Sequence, residues 1–451
     1  MPTTRSIQLT ACRKSTAASS FRKSPKKSRR KNRKNRNLRK CRKIRTAKRP
    51  KRKKRGKLKK PRRRLPKKRQ RKRKKRRKQL KRPIRKLLRI SLPRSNGRKC
   101  PAPSDDKVIL SLLSDLNIAS KEWAIRQYDH EVRAGTAIHP MVGEMNKTGP
   151  GDASVLLPVP GRTKGLAAAI GCNPWFTEAD PYNGGMSCID ETCRNLVAVG
   201  AKPNAFTDCL NFGNPEKPER LGEFREAVRG IGEAARELGI PIPSGNVSLY
   251  NEAPGGKHIL PTPMILGCGL VDDIRKAVTA DFKKSGSVVF LVGATKDEMG
   301  ASLLFRKFGG EQGAVPAVDI PSLKRKMDRL LKAMDEKLVL SCHDCSDGGL
   351  AVSVAEMCIS GGVGAELDLA AIDLPCVQKK LYSESNSRWI AEVDGKDVTR
   401  FSEIMGDDAV PIGITKGDCL KIKDNGTVVP LEEMRKAWNS PIWNIMGGAA
   451  E

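Results

Sequence analysis

The run Ser244-Gly245-Asn246-Val247-Ser248 brings a residue without a Cβ, an amide and two hydroxyls into five positions. A backbone free of a Cβ lets a phosphate approach closely, and short polar side chains reach a ligand from the same corner. Magnesium takes oxygen ligands and completes its shell with water and nucleotide phosphates, so the Asn246 carbonyl oxygen is a sensible protein contribution. The plain alternative is a Gly-Asn turn with Ser248 bonded to its own backbone. Asp208 sits in a second polar run, Thr207 to Pro215. Asp152, after glycine, could touch a cation, although capping a turn is the favoured reading. Cys342-His343-Asp344-Cys345 has the form of a thiol-disulfide site between a strand and a helix, a competing redox reading. Arg388 closes the run from Ser383 and could pair with a phosphate, with the Asp347 carboxylate, or across a domain boundary. His130 and His139 lack a second ligand at metal spacing. No nucleophile with a histidine partner has a recognisable context, so a glutaminase is not expected.

These runs need elements to hold them. Leu221, Phe224, Val228, Ile231, Ala235 and Leu238 recur every three or four residues, which predicts one face of a helix between the two runs, ended by Gly239 and Pro241. A second helix is expected from Gly184 to Val199, and Ser322 is expected to cap a third. Strands are expected over Gly151 to Leu157, Gly165 to Ile170, Pro203 to Asp208, Met264 to Leu270, Ser287 to Val292 and Leu338 to Ser341. The alternation implies an α/β or α+β class.

Charge divides the chain. Residues 1–100 hold 50 of its 88 Lys and Arg and none of its 48 Asp and Glu, so they carry +50 against −10 for the rest. Such a segment repels itself and has too few apolar residues to offset the entropy of ordering. It reads as a solvated tail, as a nucleic-acid-binding arm, or, the preferred reading, as a misread frame. It also lacks Val, and codons beginning with G are nearly missing, as when a Glu-rich stretch is read one base along; the upstream DNA would then encode a missing half in another frame. Nucleic acid is therefore disfavoured as a partner. Thirteen cysteines, no signal region and no bilayer-length apolar run point to the cytoplasm and away from a membrane.

TDCLNFGNPEKPE with SGNVSLYNE resembles the second half of the large subunit of phosphoribosylformylglycinamidine synthase (formylglycinamide ribonucleotide amidotransferase) in its small multi-subunit form. The resemblance extends over QYDHE at Gln127, DPYNGG at Asp180, RNLVAVGAKP at Arg194, HDCSDGGL at His343 and SESNSR at Ser383. With residues 1–103 set apart as the basic low-complexity segment, it implies an AIR synthase-like N-domain over 104–283 that pairs its sheet with another copy, and an AIR synthase-like C-domain over 284–451. It implies ATP-dependent amidine formation in purine biosynthesis on formylglycinamide ribonucleotide. Ammonia would come from a glutaminase subunit, joined through a small bridging subunit. It also implies that positions matching Asp208 and Gly245 contact ATP, Asn246 binds magnesium and Ser248 contacts the ribonucleotide. The family's catalytic histidine belongs to a first module with no counterpart here, so no catalytic residue is assigned. The alternatives are a non-catalytic nucleotide-binding or assembly subunit and a nucleic-acid-binding protein.

Overall fold

Alternation of burial along two of its central strands, Gly165–Gly171 and Thr262–Val271, gives the first sheet one covered face and one open face. In this computed structural model, which describes residues 104–127, 134–144, 147–253, 255–310 and 313–447, six strands lie in the order β1-β4-β5-β8-β6-β7. They are β1 (Thr136–Ile138), β4 (Ser154–Leu156), β5 (Gly165–Gly171), β6 (Lys202–Asn211), β7 (Ser244–Ser248) and β8 (Thr262–Val271). A short pair, β2 (Met141–Val142) and β3 (Gly149–Pro150), stands apart. Only β6 and β7 run parallel in the large sheet, because the connection between them is a helix. The basic segment and His130 lie outside the described residues.

Two helices cover one face of this sheet. Helix α1 (Asp105–Leu113) comes first in the chain, but its Val108, Ile109, Leu112 and Leu113 enter the core of the second sheet. Helix α2 (Pro181–Ala198) starts on Pro181, three residues before the expected start, with Asp180 accepting from the Tyr182 and Asn183 amides as its cap. Helix α3 (Pro218–Leu238) ends at Gly239, which has φ +75°. The α3 stripe differs from the expected one: Leu221 and Val228 are 47% and 39% exposed, while Ala227, Ile231, Ala234 and Leu238 are buried. Close packing explains the shift. A Cβ on Gly230 would meet the Tyr182 carbonyl oxygen at 2.1 Å, and one on Gly185 the Ala227 carbonyl oxygen at 2.4 Å. Small residues let the helices approach, so the larger ones turn outward.

The second sheet has the order β10-β12-β9-β13-β11-β14-β15, from β9 (Val288–Val292), β10 (Val339–Asp344), β11 (Ala365–Leu367), β12 (Trp389–Val393), β13 (Ala409–Thr415), β14 (Cys419–Ile422) and β15 (Thr427–Pro430). Helices α4 (Ile320–Asp335), α5 (Gly349–Gly361) and α6 (Leu431–Ile445) pack with it. Asp319, and not Ser322, caps α4: its carboxylate accepts from the Ser322 amide at 3.1 Å. Trp438 of α6 donates through Nε1 to the Ile118 carbonyl at 2.9 Å, tying the N-terminal segment to the second core. Among the described residues no helix is long and apolar enough to cross a membrane.

Candidate functional site

Arg194 lies one turn after Asp190 on α2, and this spacing places both on one helix face. Its Nε donates to Asp190 at 2.7 Å. Its Nη1 crosses to the second domain and donates to Asp344 at 2.7 Å, to the Cys345 carbonyl at 2.9 Å and to Ser346 Oγ at 2.8 Å. All of this is buried. Ser387 completes the shell of Asp190 through its backbone N–H at 3.0 Å and its hydroxyl. An ion pair so enclosed fixes where the end of β10 sits against the first domain.

That end of β10 carries His343 and Asp344 into a cavity of about 800 Å³ lined from both domains. Asp152 meets them there. Its Oδ1 accepts from His343 Nδ1 at 2.9 Å and from the Asp344 amide at 2.9 Å, while His343 Nε2 donates to Glu356 at 3.2 Å. Burial works against a charged imidazole, but Asp152 and Glu356 outweigh it and hold the His343 pKa well above its ordinary value. Burial raises Glu356 and drives Glu191 well up.

One ligand atom each from Asp152, His343 and Asp344 lies within 4.8 Å of the others. Asp152 Oδ2 is buried and has no hydrogen-bond partner among the described residues. Glu191 and Asn195 add oxygens to the same cavity, so the donor set suits a hard cation such as magnesium. His343, bonded on both ring nitrogens, orients Asp152 from behind. Lys121 lines the cavity as a cation suited to a phosphate.

The residues singled out from sequence fall elsewhere. None of Asp208, Gly245, Asn246 and Ser248 lines this cavity. The expected glycine-asparagine corner is the edge strand β7, paired in parallel with β6 so that Asp208 faces Gly245 across the ladder. The two-residue pleat divides the four. Asp208 and Gly245 share the helix-covered side with Leu210 and Ile265, and Asn246 and Ser248 share the open side with Cys209 and Asn211. A Cβ on Gly245 would lie 2.3 Å from Asp208 Oδ1, so the glycine makes room for that carboxylate. Burial raises the Asp208 pKa. The Ser248 hydroxyl donates to Asn251 at 3.2 Å.

Arg388 takes none of the partners expected of it. It is fully buried and donates to the Ser385 and Ser383 carbonyls at 2.8 and 2.6 Å and to Thr295 at 2.8 Å, which holds its own loop. The Asp347 carboxylate instead accepts from Asn173 at 3.1 Å. Cys342 and Cys345 are buried free thiols, and burial pushes Cys342 well up, the reverse of an activated thiolate.

Two family models match in tandem: AIR synthase related protein, N-terminal domain, over residues 150–271, and AIR synthase related protein, C-terminal domain, over 284–423. The chain belongs to the AIR synthase-related family. This AIR synthase-related chain is 41% identical over 359 residues to phosphoribosylformylglycinamidine synthase subunit PurL of an Anaeromyxobacter species, a match covering 76% of the chain and 45% of the relative. To PurL of Methanothrix thermoacetophila it is 38% identical over 359 residues, covering 76% and 46%. The chain thus spans about half the length of the curated relatives it matches. In fold it is similar to Thermotoga maritima PurL complexed with FGAR, with TM-score 0.60 and 19% identity over 75% of this chain and 54% of that one. The PurLQS structure from Thermotoga maritima gives TM-score 0.56 at 19% identity, covering 75% and 52%.

Sequence reading passed over His343 and Asp344 as a possible ligand pair and weighed Asp152 alone. Their signal was weak because Asp152 and His343 are 191 residues apart. The Asp190 and Arg194 spacing was the one local clue.

Proposed function

We propose that the chain is the second synthetase-like module of a phosphoribosylformylglycinamidine synthase, a carbon–nitrogen ligase of purine biosynthesis. What supports this most is the 41% identity over 359 residues to a PurL subunit. In the reaction, the terminal phosphoryl group of ATP passes to the amide oxygen of formylglycinamide ribonucleotide. Ammonia then displaces phosphate, so each amidine formed consumes one ATP and releases ADP and phosphate. A glutaminase subunit supplies the ammonia through a multi-subunit assembly, as the likeness to the PurLQS chain supports.

In the large cavity, Asp152 and Asp344, with Glu191 and Asn195, would hold magnesium, which supplies neutralisation of nucleotide phosphate charge. Lys121 would meet a phosphate, and the imidazolium of His343 keeps Asp152 oriented. Asn246 would bind magnesium and Ser248 the ribonucleotide once a first module covers the open sheet face, while Asp208 and Gly245 would contact ATP from the opposite side of the same edge. That face exposes Leu166 and Ile170 at 36% and 49%, with Leu156 and Leu270 beside them in register. An apolar row of this kind marks an interaction surface.

A second reading is a nucleotide-holding module without turnover of its own, favoured because Asp152, Glu191 and Asp344 of this chain line one cavity. Two measurements on the full chain separate the readings: calorimetric binding of ATP with magnesium, and ADP release dependent on formylglycinamide ribonucleotide and ammonia, each with and without the first module. Binding by the chain alone with turnover only in the pair is the expected result. Absence of nucleotide binding in both states would overturn the proposal.

A further inference from the structure

Next to the large cavity, between the Ser187–Arg194 stretch of α2 and the Ser383–Arg388 loop, lies a second chamber of about 10 Å³, room for one water-sized guest. Glu191, Ser346 and Asp347 line both spaces. The small chamber adds Glu384, which is 4% exposed. Glu384 Oε1 accepts from the Leu303 and Gly348 amides at 2.8 Å each, while Oε2 is buried without a hydrogen-bond partner among the described residues. A carboxylate oxygen left this way is costly unless something positive or proton-donating meets it.

The surroundings favour a positive guest. Three carboxylates, Glu191, Asp347 and Glu384, line the chamber with a single guanidinium, Arg194, which Asp190 and Asp344 already engage. Arg306, stacked over the Trp175 ring at 3.5 Å, acts on Asp347 and Glu384 and offsets part of the surplus. Magnesium does not suit this space. It demands octahedral geometry and keeps several of its own waters, and among the described residues only Asp152, His343 and Asp344 bring three such ligand atoms within 4.8 Å. Wider-set oxygens around a water-sized volume suit a larger ion of single charge.

We propose that this chamber binds one monovalent cation of about the size of a water molecule, K⁺ or NH₄⁺, held by Glu384, Asp347 and Glu191. The inference does not rest on the nucleotide reading of the large cavity, although Glu191 lines both spaces. The two sources share one chemistry, a singly charged ion that exchanges its hydration shell for carboxylate and amide oxygens.

Thermal unfolding of the full chain is measured at constant ionic strength in KCl, NH₄Cl, LiCl and choline chloride. A saturable rise of about 3 °C over choline is expected in KCl or NH₄Cl at roughly ten times the dissociation constant, and none in LiCl. A rise in NH₄Cl alone identifies ammonium as the guest, and equal rises identify a general site; both support the proposal. Glu384→Gln keeps the two amide contacts through its remaining oxygen and is expected to unfold like wild type in choline at pH 5 but to lose the cation-specific rise. Crystals of the full chain soaked in RbCl are expected to give an anomalous peak in the chamber. Equal unfolding temperatures in all four salts, an undiminished rise in Glu384→Gln, or, where KCl raises the unfolding temperature, no rubidium peak would overturn it and leave water against a protonated Glu384.

Discussion

The cavity around Asp152, His343 and Asp344 and the edge strand bearing Asn246 and Ser248 are both rich in polar residues, yet their physical states are opposite. At the cavity wall two charged groups are braced by carboxylates: Arg194 by Asp190 and Asp344, His343 by Asp152 and Glu356. On β7, Gly245 and Asn246 are exposed and the ladder has a neighbour on one side only. Preorganised charge is complete within one chain, whereas an exposed edge acquires its surroundings from what docks on it. The difference teaches that the cavity's charge network is complete in this chain's own residues, whereas β7 leaves an edge open to a partner.

The sharpest way to break this comparison is to remove the central brace. Arg194→Leu leaves Asp190 and Asp344 buried without their partner and is expected to cost about 3–5 kcal/mol in urea unfolding; a cost below 1 kcal/mol would show that the network is not the scaffold assumed here. Next comes a pH effect. Burial, reinforced by Asp347, pushes Glu384 up to about 8. Its proton is therefore held in the folded state after the unfolded chain has released it near pH 4.3. The stabilisation is fully present below that value and is lost as pH rises through about 8. In choline buffers, unfolding temperature is expected to fall from pH 5 to 8.5, by about 3 kcal/mol of stability, and Glu384→Gln should flatten the slope.

Smaller effects sharpen the contrast. Asp152→Asn should weaken magnesium-dependent ATP binding by about 10- to 100-fold in calorimetry while the circular dichroism spectrum is retained. Gly245→Ala drives a Cβ against the Asp208 carboxylate and should cost about 1–2 kcal/mol, recovered in the Asp208→Ala, Gly245→Ala double variant. Asn246→Ala and Ser248→Ala should change stability by no more than about 0.5 kcal/mol in the isolated chain. Their effect should appear only in assays with a first module present.

Periodicity made most of the framework legible. The expected strands at Pro203 to Asp208 and Met264 to Leu270 and the helix between the two polar runs all form, with longer bounds. The errors share a cause. Counting large apolar residues put Leu221 and Val228 inside, whereas close helix contact at Gly185 and Gly230 selects small ones. Turn chemistry read from Gly-Asn was overridden because pairing with β6 satisfies the β7 backbone. Arg388 looked like a ligand because no local pattern distinguishes an arginine that binds carbonyls from one that binds phosphate.

By itself the sequence determined the order of strands and helices, the split of charge between residues 1–100 and the rest, and the family motifs, because these depend on spacing and composition along the chain. Only the tertiary structure decided that Asp152 meets His343 across 191 residues, that α1 joins the second core, and that Glu384 ends in a small chamber beside the cavity. Contacts of that kind arise when packed layers bring distant segments together, and burial then sets their charge; neither is encoded in any local window.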